Sequence, residues 1–313
     1  MFFRQKKYAA EAVKNRKTDQ KETKPNLLLM TILGLLGTFT PTRWILRLHP
    51  QKVRDTSTTE SIDNSKKQIP IIYMHGFRGG DYTTQMMVQE TTKLKSDHGY
   101  LKVKVDVYNN FEISGTWTND AHPIIQLVFK QNIAGVYAIS YMQRLALAFL
   151  KKRYHFETYD AIAHSLGAPA LVKTEMQVHN HKRYPHLHKF ISIAGPFDGV
   201  MYLGDIPNIN HLTPNGRPLF MTWSYAGMLL RRRRFNPQIK VLNVYGNVLD
   251  ETNSDKFISV TSAKSIRYIL APVVSFFEEI EMRGEMAEHS NMHDNPLVIE
   301  IINKFLGLIP ENR

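Results

Sequence analysis

The chain has 313 residues, no cysteine and a formal net charge of +12, so it can bury a full core while disulfides and cysteine-based metal sites are excluded. The charge is unevenly divided: residues 1–54 carry 12 Lys and Arg against 3 acids, and residues 55–313 carry 28 against 25. Because the excess sits in the N-terminal segment, nucleic-acid binding is not expected of the remainder.

In chain order, the basic stretch from Met1 to Asn26 precedes an apolar run, Leu27 to Phe39, in the arrangement of the n-region and h-region of an export signal. The run is shorter than the roughly 20 residues of an ordinary spanning helix. No small-x-small cleavage site follows it, which leaves an uncleaved signal-anchor open. Eight basic residues before the run would hold that end inside and place the rest outside, against Arg43 and Arg47 on the far flank. The alternative is an amphipathic or packing helix on a cytosolic protein. Residues 55–68, rich in Ser, Thr, Asp and Lys, read as a linker to a domain over 69–310.

Ile69 to Met74 is strand-like and runs into His75-Gly76-Phe77-Arg78-Gly79-Gly80. Such a turn either simply joins strand to helix or presents a backbone N–H to a developing oxyanion. A phosphate-binding loop is excluded by the missing Lys-Ser/Thr and the glycine spacing. Leu101 to Tyr108 reads as a strand and Val136 to Lys152 as a helix, with Tyr137, Tyr141, Leu145, Ala148 and Phe149 on its apolar face. Tyr159 to Ala163 reads as a short buried strand, Ala168 to Val178 as a helix with Pro169 in its first turn, and Phe190 to Gly195 as a further strand. The alternation argues for an α/β fold: a mostly parallel sheet with helices on both faces.

Between strand and helix lies Ala163-His164-Ser165-Leu166-Gly167. A nucleophile elbow, G-x-S-x-G, holds serine in a strained strand-to-helix turn and needs small residues at both ends. Here Gly167 supplies one and Ala163 replaces the other. An ordinary serine N-cap is the competing reading. As an elbow, the turn presents Ser165 as a nucleophile, with the N–H groups of Phe77 and Leu166 as the oxyanion hole. His164 is expected to pack within the turn.

His179, His181, His186 and His188 cluster in sequence, but no carboxylate stands at ligand spacing, so no metal is expected there. Pro196 to Pro237 exceeds what the sheet topology requires, and forms either a lid-like insertion of about 196–237 or core packing. Its Arg231-Arg232-Arg233-Arg234 run suits an anionic lipid surface or acidic polymer, or is merely solvated.

Acid and base are expected after the serine, in that order. Strand-like Ile239 to Gly246 leads into a loop in which Asp255 is the preferred acid and Asp250 the alternative. Val274 to Met282 reads as the last strand and precedes Glu288-His289-Ser290-Asn291-Met292-His293. His289, nearest the strand end, is the preferred base; His293 is the alternative or braces the loop. A final helix spans roughly Pro296 to Leu308.

These motifs, together with Pro123 to Phe129 and Asn253-Ser254-Asp255, resemble the bacterial cell-surface α/β-hydrolase family catalogued as a domain of unknown function, over roughly residues 66–310. The resemblance implies an α/β-hydrolase fold, lipase- or esterase-like, with Ser165, Asp255 and His289 as its triad. One departure is Lys256-Phe257-Ile258-Ser259-Val260, where relatives tend to show a glycine and a proline. The expected chemistry is two-step acyl transfer on a small or lipid-like carboxylic ester, without cofactor or metal. A non-catalytic, envelope-anchored binding protein with the same fold is the other reading.

Overall fold

The computed structural model describes residues 50–60, 67–94 and 99–310. The basic segment and apolar run expected within residues 1–49 lie outside the described residues.

The runs of aliphatic and β-branched residues form a ten-stranded sheet ordered β1-β5-β4-β6-β3-β7-β8-β11-β12, with β2 also paired to β5. The strands are β1 (Val53–Asp55), β2 (Thr58–Thr59), β3 (Ile71–Met74), β4 (Tyr100–Val105), β5 (Phe111–Trp117), β6 (Ile124–Phe129), β7 (Thr158–His164), β8 (His186–Ile193), β11 (Lys240–Asn247) and β12 (Phe276–Arg283). β9 (Val200–Met201) and β10 (Gly204–Asp205) form a separate small pair. From β4 through β12 every neighbour is parallel. Only β5 runs antiparallel to its neighbour β4. The turn between these two is built by Asp106, whose Oδ1 accepts from the N–H groups of Tyr108 and Asn110, each at 2.9 Å.

The central strands are buried on both faces, which explains why they read as continuous apolar runs. Ile72 and Met74 point to one side, beneath α2 (Val136–Tyr154) and α3 (Gly167–Val178). Ile71 and Tyr73 point to the other, beneath α1 (Asp81–Lys93) and α7 (Pro296–Leu306). α4 (Trp223–Arg231), α5 (Val260–Lys264) and α6 (Ile266–Leu270) complete the α-helices of the described residues.

Two expectations are revised. Part of the 55–68 stretch read as linker lies on the sheet edge: Thr58 and Thr59 pair with Thr116 and Trp117, and the Thr58 and Thr116 hydroxyls meet at 2.9 Å. The apolar face assigned to α2 is wider than expected: Tyr141 and Ala148 are buried and Leu145 and Phe149 pack on the core, but Tyr137 is exposed and Ala138, Met142, Ala146 and Leu150 are buried as well. That helix packs on both the sheet and α3, which broadens its buried stripe beyond a single-sided pattern. The 196–237 segment is divided between core and surface. Phe197, Tyr225, Met228 and Phe235 join the core, while Tyr202, Leu203, Phe220, Trp223 and Leu230 face solvent.

Candidate active site

In parallel strands all C-terminal ends lie on one side of the sheet, where ligands bind in open α/β folds. β3 ends at the His75–Gly80 loop, β7 at Ser165, β11 before Asp255 and β12 before His289. The topology thus brings to one rim residues that are far apart in sequence.

Ser165 sits at φ 54°, a left-handed conformation that costs a non-glycine residue roughly 1–3 kcal/mol. It is held there from both sides. Its N–H donates to the Ile193 carbonyl at 2.8 Å, and its carbonyl accepts from Ala168 N–H at 2.9 Å. Leu166, not Ser165, is the N-cap of α3, and no side chain caps that helix. The turn is therefore an elbow rather than a serine cap. Its close approaches explain two glycines: a Cβ on Gly167 would lie 2.6 Å from the His75 carbonyl oxygen, and one on Gly76 would lie 2.6 Å from Leu166 N. Ala163 is tolerated, fully buried between Met74 and Ser192 on the flanking strands.

His289 Nε2 lies 3.0 Å from Ser165 Oγ, and its Nδ1 lies 2.8 Å from Asp255 Oδ2. With Nδ1–H donating to the carboxylate, Nε2 is left to accept from the serine hydroxyl. The second oxygen of Asp255, Oδ1, accepts from the N–H groups of Phe257 at 2.9 Å and Ile258 at 2.7 Å. That bonding requires a tight turn, and Lys256 adopts φ 76° within it, at a position where a glycine would be unstrained. Asp255 is buried and His289 half-buried.

The base must reach back from β12 to β7, three strand spacings or about 14 Å. The loop crosses directly over the end of β11, where a Cβ on Gly246 would lie 2.1 Å from the Ala287 carbonyl oxygen. It is tied to the acid loop by His289 N–H donating to the Asp255 carbonyl at 2.9 Å. A glycine inside a strand pattern signals such a backbone approach, and Gly246 was the available cue.

The alternatives lie elsewhere. Asp250 is exposed and accepts from the N–H and hydroxyl of Thr252, at 2.9 and 2.5 Å. His293 is buried, with Nδ1 2.9 Å from Asp294 Oδ1, and braces the loop.

Two further histidines take positioning roles that their sequence context did not reveal. His164 Nε2 lies 3.1 Å from the His289 carbonyl oxygen and donates to it, so the residue before the nucleophile fixes the loop carrying the base. Burial, followed by the neighbouring His289 and His293, holds the His164 imidazole well below its usual pKa. His75 Nε2 accepts from Phe129 N–H at 2.9 Å, which leaves Nδ1–H to donate to the Gly76 carbonyl at 2.9 Å. Burial lowers its pKa to about 4, so it stays neutral and pins the glycine-rich loop to the end of β6. The N–H groups of Phe77 and Leu166 donate to no acceptor among the described residues.

His188 of the histidine cluster meets Asp160 at 3.0 Å. Among the described residues no three His, Cys, Asp or Glu side chains gather as metal ligands. No helix among the described residues is long and apolar enough to cross a membrane.

Solved structures share this architecture. The product of gene lin2722 from Listeria innocua is 25% identical, with TM-score 0.69 over 79% of this chain and 97% of the other. The "putative cell surface hydrolase" from Lactobacillus plantarum WCFS1 is 20% identical, with TM-score 0.65 over 79% and 94%. A more distant likeness, 14% identical with TM-score 0.43 over 78% and 90%, is to Est1E from Butyrivibrio proteoclasticus. No curated protein matches. The family described as "Alpha/beta hydrolase of unknown function (DUF915)" matches residues 58–307, and the chain belongs to that family.

Proposed function

We propose that this protein is a serine hydrolase that cleaves carboxylic esters through an acyl-enzyme intermediate. The observation that carries the reading is the unbroken series of Ser165 Oγ, His289 Nε2, His289 Nδ1 and Asp255 Oδ2, at 3.0 and 2.8 Å. In the first step His289 takes the hydroxyl proton as Ser165 Oγ bonds to the ester carbonyl carbon. Asp255 holds the imidazole tautomer and stabilises the imidazolium. The oxyanion develops toward the N–H groups of Phe77 and Leu166, and losing one such donor typically costs about 3–4 kcal/mol of transition-state stabilisation. His289 returns the proton to the departing alcohol as the C–O bond breaks. It then activates water to release the acid and regenerate Ser165. No step calls on a metal or cofactor.

The exposed Phe257, whose ring lies 5.4 Å from that of His289, gives the rim an apolar wall suited to an acyl chain or aryl alcohol. The signal-like N-terminal sequence and the name of the Lactobacillus neighbour support a place at the cell surface with the hydrolase domain outside.

The test is turnover of aryl esters of graded chain length by the full chain and by Ser165→Ala, with fluorophosphonate labelling of both. Turnover and labelling of the wild type should vanish in Ser165→Ala, a loss of at least about 10³-fold. Absent turnover and labelling in the wild type would instead favour an envelope-anchored binding protein.

A further inference from the structure

The segment from Gly199 to Phe235 pairs projecting apolar side chains with unbalanced positive charge. On α4, Trp223 is 94% and Leu230 86% exposed. Seven residues apart, they share one helix face two turns in length, while Tyr225 and Met228 anchor the opposite face in the core. Tyr202 and Leu203, on the turn between β9 and β10, are 79% and 76% exposed. That turn lies beside the start of α4, since a Cβ on Gly204 would stand 3.0 Å from Thr222 Cγ2.

The same segment carries Arg217 and Arg231 to Arg234 against a single carboxylate, Asp205. Asp205 is buried and accepts from the Ser259 hydroxyl, so the segment offers no negative charge to solvent. Among the described residues none of Arg231, Arg232, Arg233 and Arg234 forms an ion pair.

These features discriminate between occupants. Side chains this exposed project outward and line no groove. A second copy docked face to face would oppose arginine to arginine. A soluble acidic polymer would satisfy the arginines and leave Trp223 and Leu230 in water. An anionic bilayer satisfies both, since tryptophan and leucine enter the headgroup–acyl boundary while arginines meet lipid phosphates. We propose that the Gly199–Phe235 face docks on an anionic phospholipid surface, with Trp223 and Leu230 inserted and Arg231 to Arg234 on the headgroups. The face reaches the candidate active site through Met201, whose N–H donates to the Phe257 carbonyl at 3.0 Å. The proposal does not rest on the catalytic reading.

Because the chain has no cysteine, a single Leu230→Cys variant of the full chain takes an environment-sensitive dye at one site. Gln89→Cys, exposed on α1, which packs on the opposite face of the sheet from α4, is the control. With phosphatidylcholine vesicles containing phosphatidylglycerol, the dye at 230 should shift to the blue and be shielded from an aqueous quencher, and the dye at 89 should not. Pure phosphatidylcholine should produce neither change. Replacing Arg231 to Arg234 by Gln should raise the lipid concentration at half-shielding roughly fivefold per arginine. The dye-labelled chain with Ser165→Ala should dock equally, which keeps this result separable from that of the esterase test.

Three results would overturn the proposal. One is vesicle binding through the N-terminal segment with the dye at 230 still in water. Another is equal shielding by a lipid-free polyanion. The third is concentration-dependent shielding without vesicles, the mark of self-association.

Discussion

The elbow at the end of β7 and the α4 segment use small residues and polar groups to opposite ends. Around Ser165 the backbones approach so closely that Gly76 and Gly167 have no room for a methyl group, and each polar group on the Ser165–His289–Asp255 line has a partner. On α4, Gly227 faces open space apart from Arg231 Nη1 at 3.6 Å, and four successive arginines lack ion-pair partners among the described residues. The first region is over-determined, so geometric errors there should be amplified; the second is anchored on one side only and should absorb them.

The largest expected effect separates the acid from its sequence neighbour. Asp255→Asn should lower kcat by about 10⁴-fold by favouring the wrong imidazole tautomer. Asp250→Asn should stay within roughly twofold, as expected of a solvated turn residue. Comparable losses in esterase assays of the two variants would break the assignment.

The next prediction applies one substitution to both regions. Gly76→Ala should destabilise the fold by about 2–3 kcal/mol, because the displaced atoms are backbone, and should cut turnover as well. Gly227→Ala should stabilise by about 0.5–1 kcal/mol through helix propensity. Chemical denaturation of both variants checks the opposite signs.

A third prediction concerns the bond that joins the two arms of the elbow. Tyr159 on β7 donates to Glu175 Oε1 on α3 at 2.6 Å, and burial raises the Glu175 carboxyl from 4.5 to about 7. Between those values the folded chain keeps a proton that the unfolded chain releases. The site therefore withdraws stability as pH rises through that window, and the deficit is complete above it. Glu175→Gln should gain on the wild type by about 2–4 kcal/mol between pH 4.5 and about pH 8. A gap that is constant with pH would contradict this.

The smallest effect is expected at Lys256. Its φ of 76° is strained for lysine, so Lys256→Gly should raise stability by up to about 1 kcal/mol, partly offset by unfolded-state entropy. Esterase activity should be retained, because the Asp255 turn is preserved.

Much of this arrangement is legible locally. The parallel strands announce themselves as apolar runs, and a serine between small residues at a strand–helix junction carries its own steric logic. The preference for Asp255 over Asp250 rests on the residues Lys256 to Val260 that follow it and can pin its loop to the core, and that for His289 over His293 on nearness to the end of the last strand. β5 was not legible, because its alternation over Phe111, Ile113 and Trp117 is interrupted at Gly115. The α2 face is drawn too narrow from sequence because a helix packed on two neighbours buries more than one stripe. The roles of His75 and His164 were hidden because their partners, the Phe129 amide and the His289 carbonyl, are 54 and 125 residues away.

The sequence by itself determined which segments become strands and helices, and where the turns need small residues, because those choices rest on side-chain periodicity and local sterics. Only the tertiary structure decided which carboxylate and which imidazole meet Ser165. That choice depends on strand order and on a loop crossing at Gly246, and neither leaves a periodic trace in the chain. It likewise decided that Trp223 and Leu230 project while Tyr225 and Met228 are buried, since an apolar helix shows its outward face only once its inward face has found the core.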